Sequence, residues 1–391
     1  MSLDFDSARL HNPHLTPDHE SWRTQLRKFL DREVAPFLEE WDENAKIPDE
    51  LWAKAAEIGL LQIGYPEAYG GISEGIDQHY VNITGEELGR IGSAGGIAST
   101  LLIHGIGLPP VVNFSSDEIK AQVVPAVLSG EKRISLGITE PSGGSDVANI
   151  KTTAKKEGDV YIVNGSKTFI SGGMGANWVS TAVRTGGEGA AGVSMLLIPM
   201  ELDGVARTPL TKKQGWLCSD TATLYFDNVK VPAKYLIGKE GQGFRVIMNN
   251  FNSERLAMVV SMEASARCCL EEAVNWARER ETFGSRLADH QVIRHKIATM
   301  KQRINATQTY LLHLTQAYIE GRVHPGDLAM LKVQASETME FCAREASQIL
   351  GGASYLRGSK VERIYREVRV NAIGGGSEEI MRDLAASQYQ L

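Results

Sequence analysis

Two long apolar seams near the C-terminus constrain the fold of this chain more than any other feature. In the first seam, mostly apolar side chains recur every three or four residues from Ile293 to Tyr318. That spacing is typical of one face of a long amphipathic helix. A second seam runs from Leu328 to Ile349, directly after the turn-forming residues His324 to Gly326. Two long helices joined by a short connection indicate an antiparallel helical bundle.

The rest of the chain divides into a helical region and a strand-rich region. From Ser21 to about Lys132 apolar residues recur at helical spacing. From Ile134 to about Gly238 short β-branched or aromatic runs alternate with glycine, asparagine and aspartate. A chain of 391 residues is also longer than a single hydrophobic core usually becomes. We therefore predict an α+β protein with an N-terminal α-helical domain at residues 1–132, a middle β-domain at 133–238 and a helical bundle at 239–391.

Composition and charge exclude several classes of function. The formal net charge is −7 and the longest basic runs are pairs such as Lys132-Arg133, so we expect no nucleic-acid partner. The longest apolar stretches, such as Val193 to Met200, are too short to span a bilayer. The acidic N-terminal residues are unlike an export signal, and none of the four cysteines has a CxxC spacing. We expect a cytoplasmic protein with no membrane partner, and we assign no metal site.

One glycine pattern, Gly187 to Gly192, has the GxGxxG spacing of a dinucleotide-binding loop. Such a loop must open a helix whose N-terminal amides face the pyrophosphate. Here a second strand-like run, Val193 to Ile198, follows instead. We therefore predict a β-hairpin at this position.

A second glycine-rich segment, the decapeptide GITEPSGGSD at residues 137–146, opens the strand-rich region. Its closely spaced glycines expose backbone amides, which together with the hydroxyls of Thr139 and Ser145 can hold a phosphate or the edge of a flavin. A wide surface turn leading into Lys151 is the alternative interpretation.

The decapeptide resembles the signature of the acyl-CoA dehydrogenase family, and the likeness extends over nearly the whole chain. The resemblance implies a β-domain built as orthogonal or barrel-like sheets and a C-terminal four-helix bundle. It also implies bound FAD, an acyl-CoA substrate and electron transfer to electron-transfer flavoprotein. Phe169 matches the residue that packs on the flavin, and Ser171 matches the residue near its N5 atom. The implied cofactor-binding residues are Ile138, Thr139, Gly144, Ser145, Phe169, Ser171, Arg280, Phe283, Gln291, Gln348, Gly351, Gly352, Ser377 and Glu379.

Part of this flavin site is implied to come from a neighbouring subunit. The residues that match family positions contacting a neighbour's FAD are Arg280, Phe283, Gln291, Gln348, Gly351 and Gly352. The resemblance therefore implies a homotetramer, a dimer of dimers. Taken alone, Arg280 is better explained as a solvated charge in the run Arg278 to Glu281.

Removing the α-proton of an acyl-CoA thioester requires a general base. In many family members this base is a glutamate of a C-terminal motif, but the matching position here holds Gly375. The candidates that remain are Glu254, Glu378 and Glu379. Glu254 matches the position used by the long-chain and isovaleryl branches of the family, whereas Glu379 matches a frequent family glutamate that is not the base. We therefore predict that Glu254 is the catalytic base.

An alternative role for Glu254 is that of an acidic residue in the first turn of a helix capped by Asn252 or Ser253. The glycine at position 375 and the family match favour the catalytic role. The apolar run that follows, Leu256 to Val260, predicts a dry environment, which raises the pKa of a carboxyl group and makes it a stronger base.

The resemblance also assigns residues to the substrate. The backbone N–H of Gly375 matches the amide that polarises the thioester carbonyl group. With Gly374 beside it, the absence of side chains predicts a wider acyl pocket suited to long or branched chains, although a simple left-handed turn would also explain the glycines. The implied substrate-binding residues are Ser145, Phe251, Arg255, Gly374, Gly375 and Gly376.

Three functions fit this sequence. The first is FAD-dependent α,β-dehydrogenation of an acyl-CoA thioester to the trans-2-enoyl-CoA. The second is a flavin oxidase or monooxygenase on the same fold, whose reduced flavin would react with oxygen. The third is a catalytically silent acyl-CoA-binding homologue, for which Gly375 is the best argument and Glu254 the best counter-argument.

Overall fold

A computed structural model describes residues 3–391, except for the side chains of Ala94, Asn250 and Asn252. The chain begins with helices, as the apolar spacing predicts. Their bounds are α1 Pro17–Glu33, α2 Leu38–Asn44, α3 Glu50–Glu57, α4 Gln78–Arg90, α5 Ala94–Leu101, α6 His104–Gly107, α7 Pro109–Phe114 and α8 Asp117–Leu128. Tryptophan, leucine and phenylalanine side chains of α1, α2 and α3 form the N-terminal core together with apolar residues of α4 and α5.

A mixed β-sheet follows these helices. Its strands are β1 Ile134–Gly137, β2 Thr153–Glu157, β3 Val160–Ser171, β4 Trp178–Arg184, β5 Val193–Pro199, β6 Val205–Pro209, β7 Thr221–Pro232 and β8 Leu236–Ile237. They form one hydrogen-bonded path in the order β6-β7-β3-β2-β4-β5-β8, and β1 pairs in parallel with β4. Strands β4 and β5 pair antiparallel across the GxGxxG segment, so the predicted hairpin is confirmed.

The last part of the chain is helical again. Its elements are α9 Gly243–Glu279, β9 Glu281–Thr282, β10 Ser285–Arg286, α10 Gln291–Ile319, α11 Pro325–Leu350, α12 Lys360–Ile373 and α13 Glu378–Gln388. Helices α9, α10, α11 and α12 contribute to one apolar core. The order of helices, sheet and helices confirms the predicted α+β class.

Helix α9 joins the three regions. Near its start, Phe251 packs against the core of the β-sheet. Only five residues later, Leu256 belongs to the core of the helical bundle. The backbone of Gly243 lies so close to β5 that a Cβ atom there would be 2.4 Å from the carbonyl carbon of Ser194. The residues between Phe251 and Leu256 therefore lie at the junction of the sheet and the bundle.

Two glycines allow α4 to pack closely on α9. A Cβ atom on Gly89 would lie 2.3 Å from the Cβ atom of Ala264, and one on Gly85 would lie 3.0 Å from a methyl carbon of Val260. Both distances are shorter than ordinary van der Waals contact between carbon atoms. The N-terminal helices can therefore approach α9 only because these positions have no side chain.

Three further features bear on the expectations from composition. Within the described residues, no single helix is long and apolar enough to cross a membrane, although the bent pair Gly95–Leu101 and His104–Phe114 passes that test together. All four cysteines are buried and free. The described part of the chain contains no group of three or more histidine, cysteine, aspartate or glutamate side chains placed to hold a metal ion.

The close approach of α4 to α9 generates a prediction. Gly89→Ala should lower the free energy of unfolding by about 1 to 3 kcal/mol, because the new methyl group overlaps Ala264 and the helices must separate. Thermal unfolding of the purified protein measures the change. Gly105→Ala is the matched control, since Gly105 is also helical and a Cβ atom there meets nothing within 4 Å. Equal unfolding temperatures for the two variants would contradict this account of the packing.

Candidate active site

A buried ion pair holds the decapeptide loop against the sheet. The side chain of Lys167, which is fully buried on β3, donates to the carboxylate of Glu140 at 2.8 Å and to the carbonyl oxygen of Ile138 at 3.1 Å. The same carboxylate accepts from the backbone N–H groups of Lys151 and Thr152. Burial alone would raise the pKa of Glu140, but the Lys167 ammonium and these hydrogen bonds lower it to about 2. The segment between Glu140 and Lys151 is therefore held at both of its ends by the Glu140 carboxylate.

The loop and the end of β3 together form a surface suited to a flavin. Residues 141–146 are exposed, and the Gly144 backbone lies close to the side chain of Thr139. The carbonyl oxygen of Thr139 accepts from Thr168 N–H at 2.9 Å. The next residue, Phe169, has a left-handed φ of 58° and a side chain that is 70% exposed. An exposed aromatic ring beside free hydroxyl and amide groups fits a flat, polar-edged cofactor.

The structure places the other residues predicted for this part of the site nearby. Ile138 is buried, with its carbonyl oxygen bound to Lys167. Ser145 is exposed within the loop, and Ser171 is half-buried at the last position of β3. The backbone N–H groups of the loop and these hydroxyls can therefore serve one ligand without a positively charged side chain.

Glu254 lies inside α9, eleven residues after the helix begins. It is therefore not in the first turn, and the alternative role as part of a helix cap does not apply. The side chain of Asn252, one of the two suggested caps, lies outside the described residues. The Glu254 atom Oε2 is shielded from solvent and has no hydrogen-bond partner in the described part of the chain. A buried carboxyl oxygen without a partner is rare and calls for a functional explanation.

Burial determines the protonation of Glu254. Removal from water raises the pKa of this carboxyl group to about 7, and the charge of neighbouring Arg255 only partly opposes the shift. A carboxyl group with a pKa near neutrality can both accept a proton at physiological pH and attract it strongly. This is the electrostatic property that a general base requires.

A turn formed by three glycines, Gly374 to Gly376, packs against α9 close to Glu254 in sequence. The Arg255 side chain donates through Nε to the carbonyl oxygen of Gly375 at 3.3 Å, and the guanidinium carbon lies 5.3 Å from the ring centre of Phe251. Met258, one helical turn after Glu254, has its sulfur 2.6 Å from the position of a Cβ atom on Gly375. Residues four apart share a helix face. Glu254 therefore faces the region of the glycine turn.

The contact with Met258 corrects one sequence expectation in part. The glycines at 374 and 375 were expected to widen the acyl pocket. The space beside Gly375 is instead filled by the Met258 side chain, whose terminal methyl also lies 3.9 Å from a Cβ position on Gly374. A side chain at residue 375 would additionally adopt a left-handed φ of 66°, which costs free energy for residues other than glycine. At position 375 the glycine therefore relieves crowding and strain and does not open space beside the turn.

The other two glutamate candidates have different environments. Glu378 accepts a 2.6 Å hydrogen bond from the hydroxyl of Ser336. Glu379 is exposed in the first turn of α13, and its own backbone N–H and the hydroxyl of Ser377 lower its pKa. Ser377 itself caps α13 by accepting from Ile380 N–H. Of the three carboxyl groups, Glu254 has the environment of a base.

The residues that the sequence assigns to a neighbour's cofactor all lie at the surface. Phe283 is 97% exposed at a two-residue turn between β9 and β10, with a left-handed φ of 51°. Gly351 directly follows the last residue of α11, and Tyr355, four residues later, is 91% exposed. The remaining members are also exposed: Arg280, Gln291, Gln348 and Gly352. Within residues 3–391, no hydrogen bond joins any of the six to the decapeptide loop of the same chain.

Comparison with known protein families identifies the chain. Its residues 16–131, 135–229 and 241–390 match models of the N-terminal, middle and C-terminal domains of acyl-CoA dehydrogenases. The chain belongs to the acyl-CoA dehydrogenase family. The three matches together span most of the chain.

Individual family members support the assignment over nearly the full length. The chain is 35% identical to acyl-CoA dehydrogenase AFT10-1 of Alternaria alternata, over 98% of this chain and 94% of that protein. It is 33% identical to the mitochondrial long-chain specific acyl-CoA dehydrogenase of Rattus norvegicus, over 95% of this chain and 86% of that protein. A probable acyl CoA dehydrogenase from Mycobacterium abscessus is 43% identical in sequence. Its crystal structure superposes with a TM-score of 0.93, over 96% of this chain and 99% of that chain.

Family resemblance missed two residues that shape the glycine turn. Met258 fills the space beside Gly375, and Lys332 is fully buried against the same turn. A signal for Lys332 was present, because it is a charged residue between Leu331 and Val333 within an apolar seam. Charged residues are rarely fully buried unless they bind a partner, so a lysine in this seam indicates a buried hydrogen-bond acceptor.

Because burial raises the pKa of Glu254, folding should become less favourable as this group ionises. The unfolded chain ionises near 4.5 and the folded chain near 7, so stability is lost as the pH rises through this interval and the loss is complete above it. Glu254→Gln removes the ionisation and should raise the free energy of unfolding at pH 8 by on the order of 3 kcal/mol at most, and the unfolding temperature with it. At pH 4.5 the effect should be small.

Glu379→Gln provides the control for this measurement. Its carboxylate is exposed and has a lowered pKa, so the substitution should slightly lower the unfolding temperature at pH 8. Differential scanning calorimetry at the two pH values compares both variants with the parent protein. An unfolding temperature of Glu254→Gln that equals or falls below that of the parent at pH 8 would show that the Glu254 carboxyl group is not destabilised by burial.

Proposed function

We propose that this protein catalyses α,β-dehydrogenation of an acyl-CoA thioester to the trans-2-enoyl-CoA, with Glu254 as the general base. The observation that carries the proposal is the buried Oε2 atom of Glu254, which has no partner in the described chain and belongs to a carboxyl group with a pKa of about 7. A silent binding protein would have no need to retain such a group, because burying an unpaired carboxyl group costs stability.

The proposed roles of the residues follow from their positions. Glu254 removes the α-proton of the thioester and keeps it on its carboxyl group. The N–H of Gly375 donates a hydrogen bond to the thioester carbonyl oxygen and stabilises the negative charge that develops there. Arg255 holds the carbonyl side of Gly375 and packs over the Phe251 ring. The apolar core residues on either side exclude water from the base.

The cofactor of this reaction is FAD, which supplies the acceptor for the β-hydrogen as hydride. The residues present fit it, since Phe169 offers an exposed ring and the loop at 141–146 offers exposed backbone amides and hydroxyls. Thr139, Ser145 and Ser171 are the proposed side-chain donors. Ser377 and Glu379 at the start of α13 are proposed to contact the cofactor from the other side.

We propose a homotetramer, as the family resemblance implies, and the exposed positions of the remaining cofactor residues support a contact between subunits. A nearly fully exposed phenylalanine and tyrosine, Phe283 and Tyr355, are unusual on an isolated surface and typical of a subunit contact. We propose that this surface meets the flavin of a neighbouring subunit, as the family resemblance implies.

We also propose domain boundaries at residues 132 and 238 and a cytoplasmic location.

The acyl chain and the electron acceptor rest on resemblance. The similarity to a long-chain specific enzyme supports a longer or branched acyl chain, whereas the glycine turn itself offers no open space beside Gly375. Electron-transfer flavoprotein is the acceptor that the family resemblance implies. An oxidase would instead release hydrogen peroxide when mixed with substrate in air.

Anaerobic mixing with acyl-CoA thioesters tests the proposal. The flavin absorbance of the parent protein should bleach, whereas Glu254→Gln should still bind the thioester and bleach about 10² to 10⁴ times more slowly, the usual contribution of a general base. Stopped-flow absorbance measures the rate, and the spectral shift on adding the enoyl-CoA product measures binding.

Glu378→Gln is the matched control, because it removes a carboxylate near the same turn whose environment is not that of a base. Its bleaching rate should remain within a few-fold of the parent rate. Bleaching of Glu254→Gln at the parent rate would rule out Glu254 as the base, and the absence of bleaching in the parent protein with every thioester would contradict the proposed reaction.

A further inference from the structure

The glycine turn is held by a buried lysine for which neither the sequence motifs nor the proposed mechanism has a role. The side chain of Lys332 on α11 is 0% exposed. Its ammonium group donates to the carbonyl oxygen of Asn371 at 2.7 Å and to that of Gly376 at 2.8 Å. These two carbonyl groups stand on either side of Gly374 and Gly375. A single cation thus fixes both ends of the turn.

The bond to Asn371 has a specific consequence for helix α12. In an α-helix each N–H donates to the carbonyl four residues earlier. Gly374 N–H follows this rule and donates to Val370 at 2.7 Å, so the next donor would be Gly375 N–H and the next acceptor Asn371. In the structure the Asn371 oxygen accepts from the Lys332 ammonium group instead, while its second lone pair still has the capacity for a backbone donor. Among the described residues, no hydrogen bond has Gly375 N–H as its donor.

The geometry after the helix agrees with this termination. Gly374 is extended, with φ −69° and ψ 154°, and Gly375 and Gly376 have φ values of 66° and 100°. The carbonyl of Gly375 is bound by Arg255, while that of Gly376 is bound by Lys332. Two cations therefore anchor carbonyl groups of the turn, and within the described residues neither Gly375 N–H nor Gly376 N–H donates a hydrogen bond.

We propose that Lys332 is a positioning residue: by bridging the Asn371 and Gly376 carbonyl groups it holds the turn in the conformation that ends helix α12 and keeps the Gly375 N–H available for the thioester carbonyl oxygen. This inference rests on the proposed function. Burying a lysine costs free energy, and the two short bonds together with the favourable interaction of a cation with a helix C-terminus offset part of that cost.

The structural consequence is tested by a crystal structure of Lys332→Met, which keeps the length of the side chain and removes the donors. Helix α12 should extend by one hydrogen bond, bringing Gly375 N within about 3.2 Å of the Asn371 oxygen. An unchanged turn with Gly375 N–H still free would overturn the proposal. This measurement does not depend on turnover, so it remains decisive if the parent protein fails to bleach and the proposed function itself is contradicted.

The functional consequence is tested by anaerobic bleaching of the same variant with saturating acyl-CoA. The rate constant should fall about tenfold or more, while the affinity for the enoyl-CoA product changes less. A rate constant within twofold of the parent value, or equal losses in rate and affinity, would overturn the positioning role. Ser336→Ala is the matched control, because Ser336 lies one turn further along α11 and binds Glu378 without touching the carbonyl groups of the turn.

If Lys332→Met does not fold, Lys332→Gln can be tested in its place. Lys332→Gln has a shorter polar side chain that cannot hold both carbonyl groups, so the same fall in rate constant and the same added helical bond are expected. A Lys332→Gln variant with the parent turn and the parent rate constant would also overturn the proposal.

Discussion

The close packing of α9 against all three regions of the chain is the constraint on which the rest of the structure depends. The absence of side chains at Gly85 and Gly89 allows α4 to pack closely on α9, and Gly243 allows the first turn of α9 to pack closely on β5. Because α9 passes from the core of the sheet to the core of the bundle between Phe251 and Leu256, the residues between them lie where the two cores meet, and the Oε2 atom of Glu254 is shielded from solvent there. Glu254 is one of these residues, and its raised pKa follows from that placement.

The glycine turn packs against α9, the helix that carries the proposed base. The turn contributes backbone groups, held by Arg255 and Lys332, and no side chain. Met258 fills the space where a side chain on Gly375 would begin. Under the proposed mechanism, a carboxyl group is therefore supplied from α9, one helical turn before Met258, and the turn is left to bind the thioester oxygen. The division of roles follows from packing on one helix face.

Much of the fold could be predicted from the sequence, and less of the site. Periodic apolar residues indicated the bundle helices, and β-branched runs indicated the strands, because both patterns report burial of one face. The seam containing Lys332 showed a helix but not its partner carbonyl groups, which come from residues about 40 positions later. Likewise, the glycines at 374 and 375 indicated an open pocket because the sequence cannot show that Met258 lies there. The flavin-binding, substrate-binding and base assignments stay predictions.

The pH dependence of flavin bleaching tests the central claim, that Glu254 is a buried carboxyl group acting as the base. The second-order rate constant at low acyl-CoA concentration reports the ionisation of the free enzyme. It should rise with pH through an apparent pKa near 7, the value to which burial raises that of Glu254, because only the ionised carboxylate can accept the α-proton. A rate constant that is independent of pH down to pH 5 would contradict the account, since it would require a base with an ordinary carboxyl pKa.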